Sequence, residues 1–322
     1  MPVDIRIESG PKIAGAATLL KGEGPLFLLY DKAVEPLAAS LREQLDFKAF
    51  LAVEGGEGIK SFGAVEGIIS WLMGAQAGRD AILVIMGGGS VCDAGAFCSS
   101  IYKRGIRFAL LPTTLLSQVD AAIGGKTGIN FGGVKNSVGT FSLPLFTYIC
   151  PESLLSLPKE EWISGAAELL KTTIISGKGY DEAVTLLKSG DRSALAPAIL
   201  AAARFKAGIV SEDLYDYGKR RLLNLGHTYG HAIESCALAA GRPVPHGHAV
   251  AIGMVISARK AGSPFADRLS SDLQAIGLPT ECKFTEKEIL PYIRQDKKME
   301  DGGIRFILLH GPGRLEEVKL HF

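Results

Sequence analysis

Uninterrupted apolar runs of strand length alternate with amphipathic stretches through the first half of the chain. PLFLLYD (25–31), FKAFLAVEG (47–55), AILVIMGGG (81–89) and RFALLPTT (107–114) are each long enough for a buried strand, and such runs suit a parallel sheet covered on both faces. Between them, EPLAASLREQL (35–45) and SFGAVEGIISWLMGAQ (61–76) repeat apolar residues at three and four, the spacing of crossover helices. Past about residue 150 the texture changes. CPESLLSLPKEEW (150–162) marks a boundary, and GAAELLKTTIIS (165–176) and APAILAAARFKAGIVSED (196–213) predict a mostly helical second half. At the end, GIRFILLHGPGRLEEVKLHF (303–322) predicts two short β segments around a Gly-Pro-Gly turn. The pattern therefore predicts an α/β domain over residues 1–155 and an α-helical domain over 156–322.

Composition narrows the class. A chain of 322 residues with 47% apolar content can bury a substantial core. Its net charge of +1 leaves no electrostatic footprint for nucleic acid or anionic lipid. The stretch MPVDIRIESG has no apolar core of signal-peptide length, and no run reaches the roughly 18 apolar residues that a spanning helix needs. The expected location is the cytoplasm. Five scattered cysteines without a CxxC pair point to buried thiols rather than a disulfide framework or zinc knuckle.

Three clusters carry chemistry. Directly after AILVIM, the turn GGGSVCDAGAF lets backbone approach a ligand and can open a helix whose N-terminus favours phosphate, although its spacing departs from GxGxxG. Asp31, at the carboxyl end of the first apolar run, is either a ligand contact or an ordinary helix cap. In NLGHTYGHAIE, His227 and His231 are four apart and share a helix face, and HGHAV adds His246 and His248. With Glu168 from GAAELLK they can form a Glu-His-His set that leaves positions open on a divalent ion. Finally, Lys126, Lys135, Lys171, Lys206 and Arg220 lie in glycine-rich or apolar surroundings, unlike the lysines of a solvated helix face. Together they suggest an anionic substrate, with Asn136 and Asn224 as neutral donors.

At these residues the chain resembles the 3-dehydroquinate synthase family. The matching blocks are GGGSVCD, KRGIRFALLPTTLLSQVDAAIGGKTGINFGGVKN, SGAAELLK, RFKAGIVSED, RLLNLGHTYGHAIE, HGHAV and DKK, in family order over most of residues 25 to 310. The resemblance implies a Rossmann-like α/β domain followed by a helical metal domain, with the active site in the cleft between them. It implies NAD and a divalent metal, zinc or cobalt, converting 3-deoxy-D-arabino-heptulosonate 7-phosphate to 3-dehydroquinate and phosphate in the shikimate pathway. Carried over by position, the implied metal ligands are Glu168, His227 and His246, with His248 as the neighbouring alternative to His246. The implied NAD contacts are Asp31; Gly55, Gly56, Glu57, Gly58, Ile59 and Lys60; Gly89, Ser90, Val91, Cys92 and Asp93; Thr113 and Thr114; Lys126 and Lys135; and Ser153, Leu154, Leu155 and Ser156. The implied substrate and catalytic residues are Asp120, Lys126, Asn136, Lys171, Lys206, Arg220, Asn224, His231 and Lys297. Arg104 matches an arginine that reaches the neighbouring subunit's site, which implies a homodimer. One departure is Gly55, where an aspartate is common, and another is His248, where many relatives have glutamate.

Two rival readings share parts of this pattern. A sibling sugar phosphate cyclase, such as 2-deoxy-scyllo-inosose or 2-epi-5-epi-valiolone synthase, would share fold, NAD and metal, but Asn224, His231 and the DKK lysine resemble the dehydroquinate pattern more. A glycerol-dehydrogenase-like oxidoreductase would share GGGSxxD, yet a neutral polyol has no need of the cations around GGKTG and KN.

Overall fold

The computed structural model describes residues 3–295, 299–300 and 303–320, so Lys297 lies outside the described residues. It divides into two compact units: residues 1–157 with 199–215, and residues 158–198 with 216–322.

The first unit is built on six parallel strands: β1 (Ile7–Ser9), β2 (Leu26–Asp31), β3 (Phe47–Val53), β4 (Ile82–Gly87), β5 (Arg107–Pro112) and β8 (Thr147–Ile149), in the order β1-β8-β5-β4-β2-β3. The helices α1 (Ala17–Leu20), α2 (Glu35–Arg42), α3 (Phe62–Gly74) and α4 (Gly89–Ile101) cover it. Alternate residues of β2 and β4 feed two cores: Leu29, Leu83 and Ile85 pack with residues of α3 and α4, while Leu28, Val84 and Met86 pack with Ala38 and Leu41 of α2. Burial on both faces explains why these strands read as continuous apolar runs. Each of the four apolar runs became a strand. Between β5 and β8 the glycine-rich stretch forms an antiparallel hairpin, β6 (Lys126–Phe131) with β7 (Val134–Phe141).

The second unit holds α5 (Lys159–Ser176), α6 (Tyr180–Ser189), α8 (His227–Ala239), α9 (His246–Lys260), α10 (Ala266–Ile276) and α11 (Glu286–Gln295), with a small antiparallel sheet of β9 (Met299–Glu300), β10 (Gly303–Gly311) and β11 (Arg314–Leu320). The helix α7 (Ala196–Glu212) begins in this unit, but its residues from Ile199 on belong to the first. The expected division into two continuous halves at residue 155 therefore differs from the structure by an interleaved segment. Its anchors include Lys206, paired with Asp120, and Ser211, whose amide carbonyl accepts from Val3 N at 3.0 Å. Among the described residues, no helix is long and apolar enough to cross a membrane.

The metal-cluster helices α8 and α9 meet through glycine. A Cβ on Gly253 would lie 1.9 Å from the carbonyl oxygen of Gly226, the residue that precedes His227. Gly253→Ala must push the two backbones apart, and is expected to cost about 1–3 kcal/mol, as overpacking typically does. Chemical denaturation would register it as a lower midpoint at unchanged slope.

Candidate active site

The strand order places a candidate ligand-binding corner in the first unit. The chain runs from β2 outward to β3 and then returns to the other side of β2 as β4, so the order reverses between β2 and β4, where open α/β sheets bind ligands at the strands' carboxyl ends. Asp31 ends β2, and Gly87 to Gly89 end β4 and open α4. No side chain caps the N-terminus of α4, which leaves amide donors for an anion. Asp31 does cap a short helical turn, its Oδ1 accepting from Ala33 N at 3.0 Å. It also presses on the GGEGIK segment: a Cβ on Gly55 would sit 2.1 Å from Asp31 Oδ2. Glycine at this position thus gives the carboxylate its room. Ser90 Oγ accepts from Gly56 N at 3.1 Å, tying that segment to the first turn of α4. Thr113 N donates to Gly87 O at 2.9 Å, and Thr114 Oγ1 lies 2.8 Å from Ser117 Oγ. Ser153 uses its hydroxyl internally, donating to Cys150 O and accepting from Gln118 Nε2, and Leu154 is fully buried.

Lys60, 5% exposed, joins this corner to the hairpin. Its ammonium donates to Asp93 Oδ2 at 2.6 Å and to Asn136 Oδ1. Burial raises the Asp93 carboxyl to about 6 against the lowering effect of Lys60. Asn130, absent from the sequence reading, completes the link: its Oδ1 accepts from Asn136 N at 2.9 Å and its Nδ2 donates to Glu57 Oε2 at 2.7 Å. Asn136 itself takes a left-handed φ of 51°, which asparagine tolerates better than most residues. Asp120 sits in a π-helical turn over Ser117–Ala121, and Lys206 Nζ reaches its backbone oxygen at 2.6 Å and its Oδ1 at 2.8 Å. Lys206 is buried. Lys126 and Lys135 are exposed on the hairpin, and Lys126 with Gly125 lines a small cavity shared with Cys92 and Asp93. Arg104 is exposed on a turn in which Lys103, Arg104 and Gly105 all have positive φ.

In the second unit, three elements bring a carboxylate and two imidazoles together. Glu168 on α5 is fully buried; its Oε1 lies 3.6 Å from His227 Nε2 at the start of α8 and 3.4 Å from His246 Nε2 at the start of α9. His248 is not in this group. Neither oxygen of Glu168 makes a directed hydrogen bond, although Lys171 Nζ, 1% exposed, is 2.5 Å from Oε2. The buried carboxylate is thus met on Oε2 by the Lys171 ammonium, while Oε1 faces the two imidazoles. Two ligand atoms about 2.0–2.1 Å from a tetrahedral zinc are roughly 3.3–3.4 Å apart, so the observed separations are already near those of a metal site. The donor set fits a divalent cation such as zinc or cobalt. Arg220, 4% exposed, and Asn224 lie on the short helix Lys219–Asn224 leading into α8, and His231 follows His227 by one turn, their rings 5.2 Å apart.

Glu234, which sequence reasoning also missed, accepts from His246 Nδ1 at 3.0 Å. Burial alone would lower the His246 pKa, but Glu168 and Glu234 outweigh it and raise it to about 10. The sign follows directly: the metal-free ring is protonated at neutral pH, and coordination needs Nε2 bare, so binding must expel a proton. Apparent metal affinity is expected to climb by up to about tenfold per pH unit for one displaced proton until pH nears 10. Adding zinc to metal-free protein in dilute pH-indicator dye should acidify the solution; no proton release would contradict the assignment.

The fold, an α/β unit with a glycine turn and a mostly helical unit with a Glu-His-His cluster, is shared with solved synthases. It superposes on 2-deoxy-scyllo-inosose synthase complexed with carbaglucose-6-phosphate, NAD⁺ and Co²⁺ (TM-score 0.86, 22% identity, 100% of this chain and 97% of that one). It superposes equally on 2-epi-5-epi-valiolone synthase from Streptomyces hygroscopicus with NAD⁺ and Zn²⁺ bound (TM-score 0.85, 25% identity, 100% and 94%). Residues 50–164 match the 3-dehydroquinate synthase N-terminal family and residues 165–299 the 3-dehydroquinate synthase C-terminal family. The chain is 37% identical to 3-dehydroquinate synthase from Rhodospirillum rubrum, over 96% of its length and 86% of that protein's, and 40% identical to that from Methylacidiphilum infernorum, over 92% and 85%. The chain belongs to the 3-dehydroquinate synthase family.

Proposed function

We propose that this protein is a phosphorus-oxygen lyase that converts 3-deoxy-D-arabino-heptulosonate 7-phosphate to 3-dehydroquinate and phosphate, using NAD and a divalent metal, zinc or cobalt. The observation that carries the reading is the buried carboxylate of Glu168, its Oε1 facing two imidazole Nε2 atoms, in a chain of this family. Glu168, His227 and His246 would hold the metal. Asp31, the segment from Gly55 to Lys60, Gly89 to Asp93, Thr113, Thr114, Lys126 and Lys135 would hold NAD. Ser153 is a weaker member of that set, because its hydroxyl is already used within the fold. When bound, NAD⁺ and the metal would supply a reversible oxidation of one substrate hydroxyl, the chemistry that would acidify the neighbouring C–H for loss of phosphate ahead of ring closure by an intramolecular aldol.

The chain's own groups do the placing. Lys171, Lys206, Arg220 and Asn136 offer positive charge and donors to phosphate and carboxylate, and burial of the first three strengthens each such contact by excluding water. Asp120 fixes the Lys206 ammonium, and Asn224 and His231 complete the substrate set. Arg104, exposed on its left-handed turn, suits an arm that enters the site of a second copy in a homodimer. The reading places the enzyme in the cytoplasm.

The test follows inorganic phosphate and absorbance at the NADH wavelength together, with purified protein, NAD⁺, Zn²⁺ or Co²⁺, and the heptulosonate phosphate. One phosphate per substrate with no net NADH is the expected result. Phosphate from other sugar phosphates only would favour a sibling cyclase, and NADH accumulating with polyols would favour an oxidoreductase.

A further inference from the structure

We propose that Glu234 is a positioning residue for the metal: it fixes the tautomer and ring orientation of His246, so that Nε2 faces Glu168 and His227. This rests on the assignment of Glu168, His227 and His246 as ligands.

Glu234 lies seven residues after His227 on α8, two turns along the same face. It is 8% exposed, and its Oε2 lies 3.0 Å from His246 Nδ1 at the start of α9. An ionised carboxylate only accepts, so the shared proton resides on Nδ1 and the lone pair of the neutral ring is on Nε2. That atom is the one 3.4 Å from Glu168 Oε1. His227 reaches the same state differently: its Nδ1 lies 3.1 Å from the backbone oxygen of Leu225, another pure acceptor, which leaves Nε2 toward Glu168. The two rings are thus set by one backbone carbonyl and one side chain, and only the second can be removed by substitution.

Glu234 could instead be a ligand, since His231, Glu234 and His246 also bring donor atoms within 4.8 Å of one another. The spacing argues otherwise. Two donors on one tetrahedral zinc sit roughly 3.3–3.4 Å apart, whereas 3.0 Å between Nδ1 and Oε2 is a hydrogen-bond length. A carboxylate behind a ligating imidazole raises its basicity and holds its plane, and losing such a partner costs about 10- to 100-fold in metal affinity.

The experiment compares Glu234→Ala, Glu234→Gln and, as a reference, Glu168→Ala in the full chain. Zn²⁺ affinity is measured by chelator competition, and the Co²⁺-loaded proteins are compared by visible absorption. Glu234→Ala should weaken binding about 10- to 100-fold and alter the cobalt spectrum. Glu234→Gln, whose amide oxygen still accepts from Nδ1–H, should recover most of the affinity and the wild-type spectrum. Wild-type affinity and spectrum in Glu234→Ala would overturn the proposal, as would equal losses in both Glu234 variants. If Glu168→Ala also kept the metal, the ligand assignment itself would fall; if only Glu168→Ala lost it, that assignment would stand and Glu234 alone would be excluded.

Discussion

His227→Ala is expected to leave a folded protein that holds no metal after dialysis and turns over no substrate. His227 opens α8 and is one of the three proposed ligands, so its loss would leave Glu168 and His246 as an incomplete set. The drop in affinity should exceed the roughly 10- to 100-fold that follows loss of an outer hydrogen-bond partner. Fold stability should change much less, because the ring contributes its Nδ1 bond to Leu225 O and modest packing at the helix start. Metal analysis after dialysis decides the matter; undiminished content would remove His227 from the ligand set.

Lys171→Ala should act on two quantities in different states of the protein. A positioned cation facing developing negative charge is worth about 10²–10³ in kcat, so turnover should fall by that order if Lys171 meets the substrate. The same ammonium is 2.5 Å from Glu168 Oε2, and both side chains are buried. Removing one partner of a buried pair costs up to about 3–5 kcal/mol. A protonated His246 offsets part of this in the metal-free form, and a bound cation offsets it more fully. Unfolding midpoints should therefore fall further for the metal-free variant than for the loaded one. Normal turnover would take Lys171 out of the catalytic set, and equal destabilisation with and without metal would contradict its coupling to Glu168.

What could be read from the chain, and what could not, has a physical basis. The strands β2, β4 and β5 were legible because an interior parallel strand is apolar on both faces and needs no context to be recognised, whereas β3, at the sheet's edge, was legible from its apolar positions although it alternates half-buried with exposed residues. β1, written IES, is three residues with no apolar run, and exists because it pairs with β8. The β6–β7 hairpin was hidden by its own composition, since KTGINF and VKNSVGTF lack the alternation that a half-buried strand shows. Spacing and composition made a histidine cluster with a carboxylate legible, but the particular set Glu168, His227 and His246 was implied only by the family resemblance, because helical spacing pairs His227 with His231. Glu234 and Asn130 were not legible: each acts through a tertiary contact, one from α8 to α9 and the other from the hairpin to the GGEGIK segment, that local pattern does not encode. Likewise the periodicity of α7 reveals that it is a helix but not which unit it completes.

That last feature bears on how the protein is made. A ribosome delivers residues 1–157 long before residues 199–215, yet both belong to one unit, and the ammonium that binds Asp120 arrives 86 residues after it. The nascent first unit must wait for Lys206 while the intervening segment of the other unit emerges. A gene fragment ending at residue 157 would therefore encode not a domain but an interrupted one, and the natural cut points of this chain are set by the interleaving rather than by the composition change near residue 150.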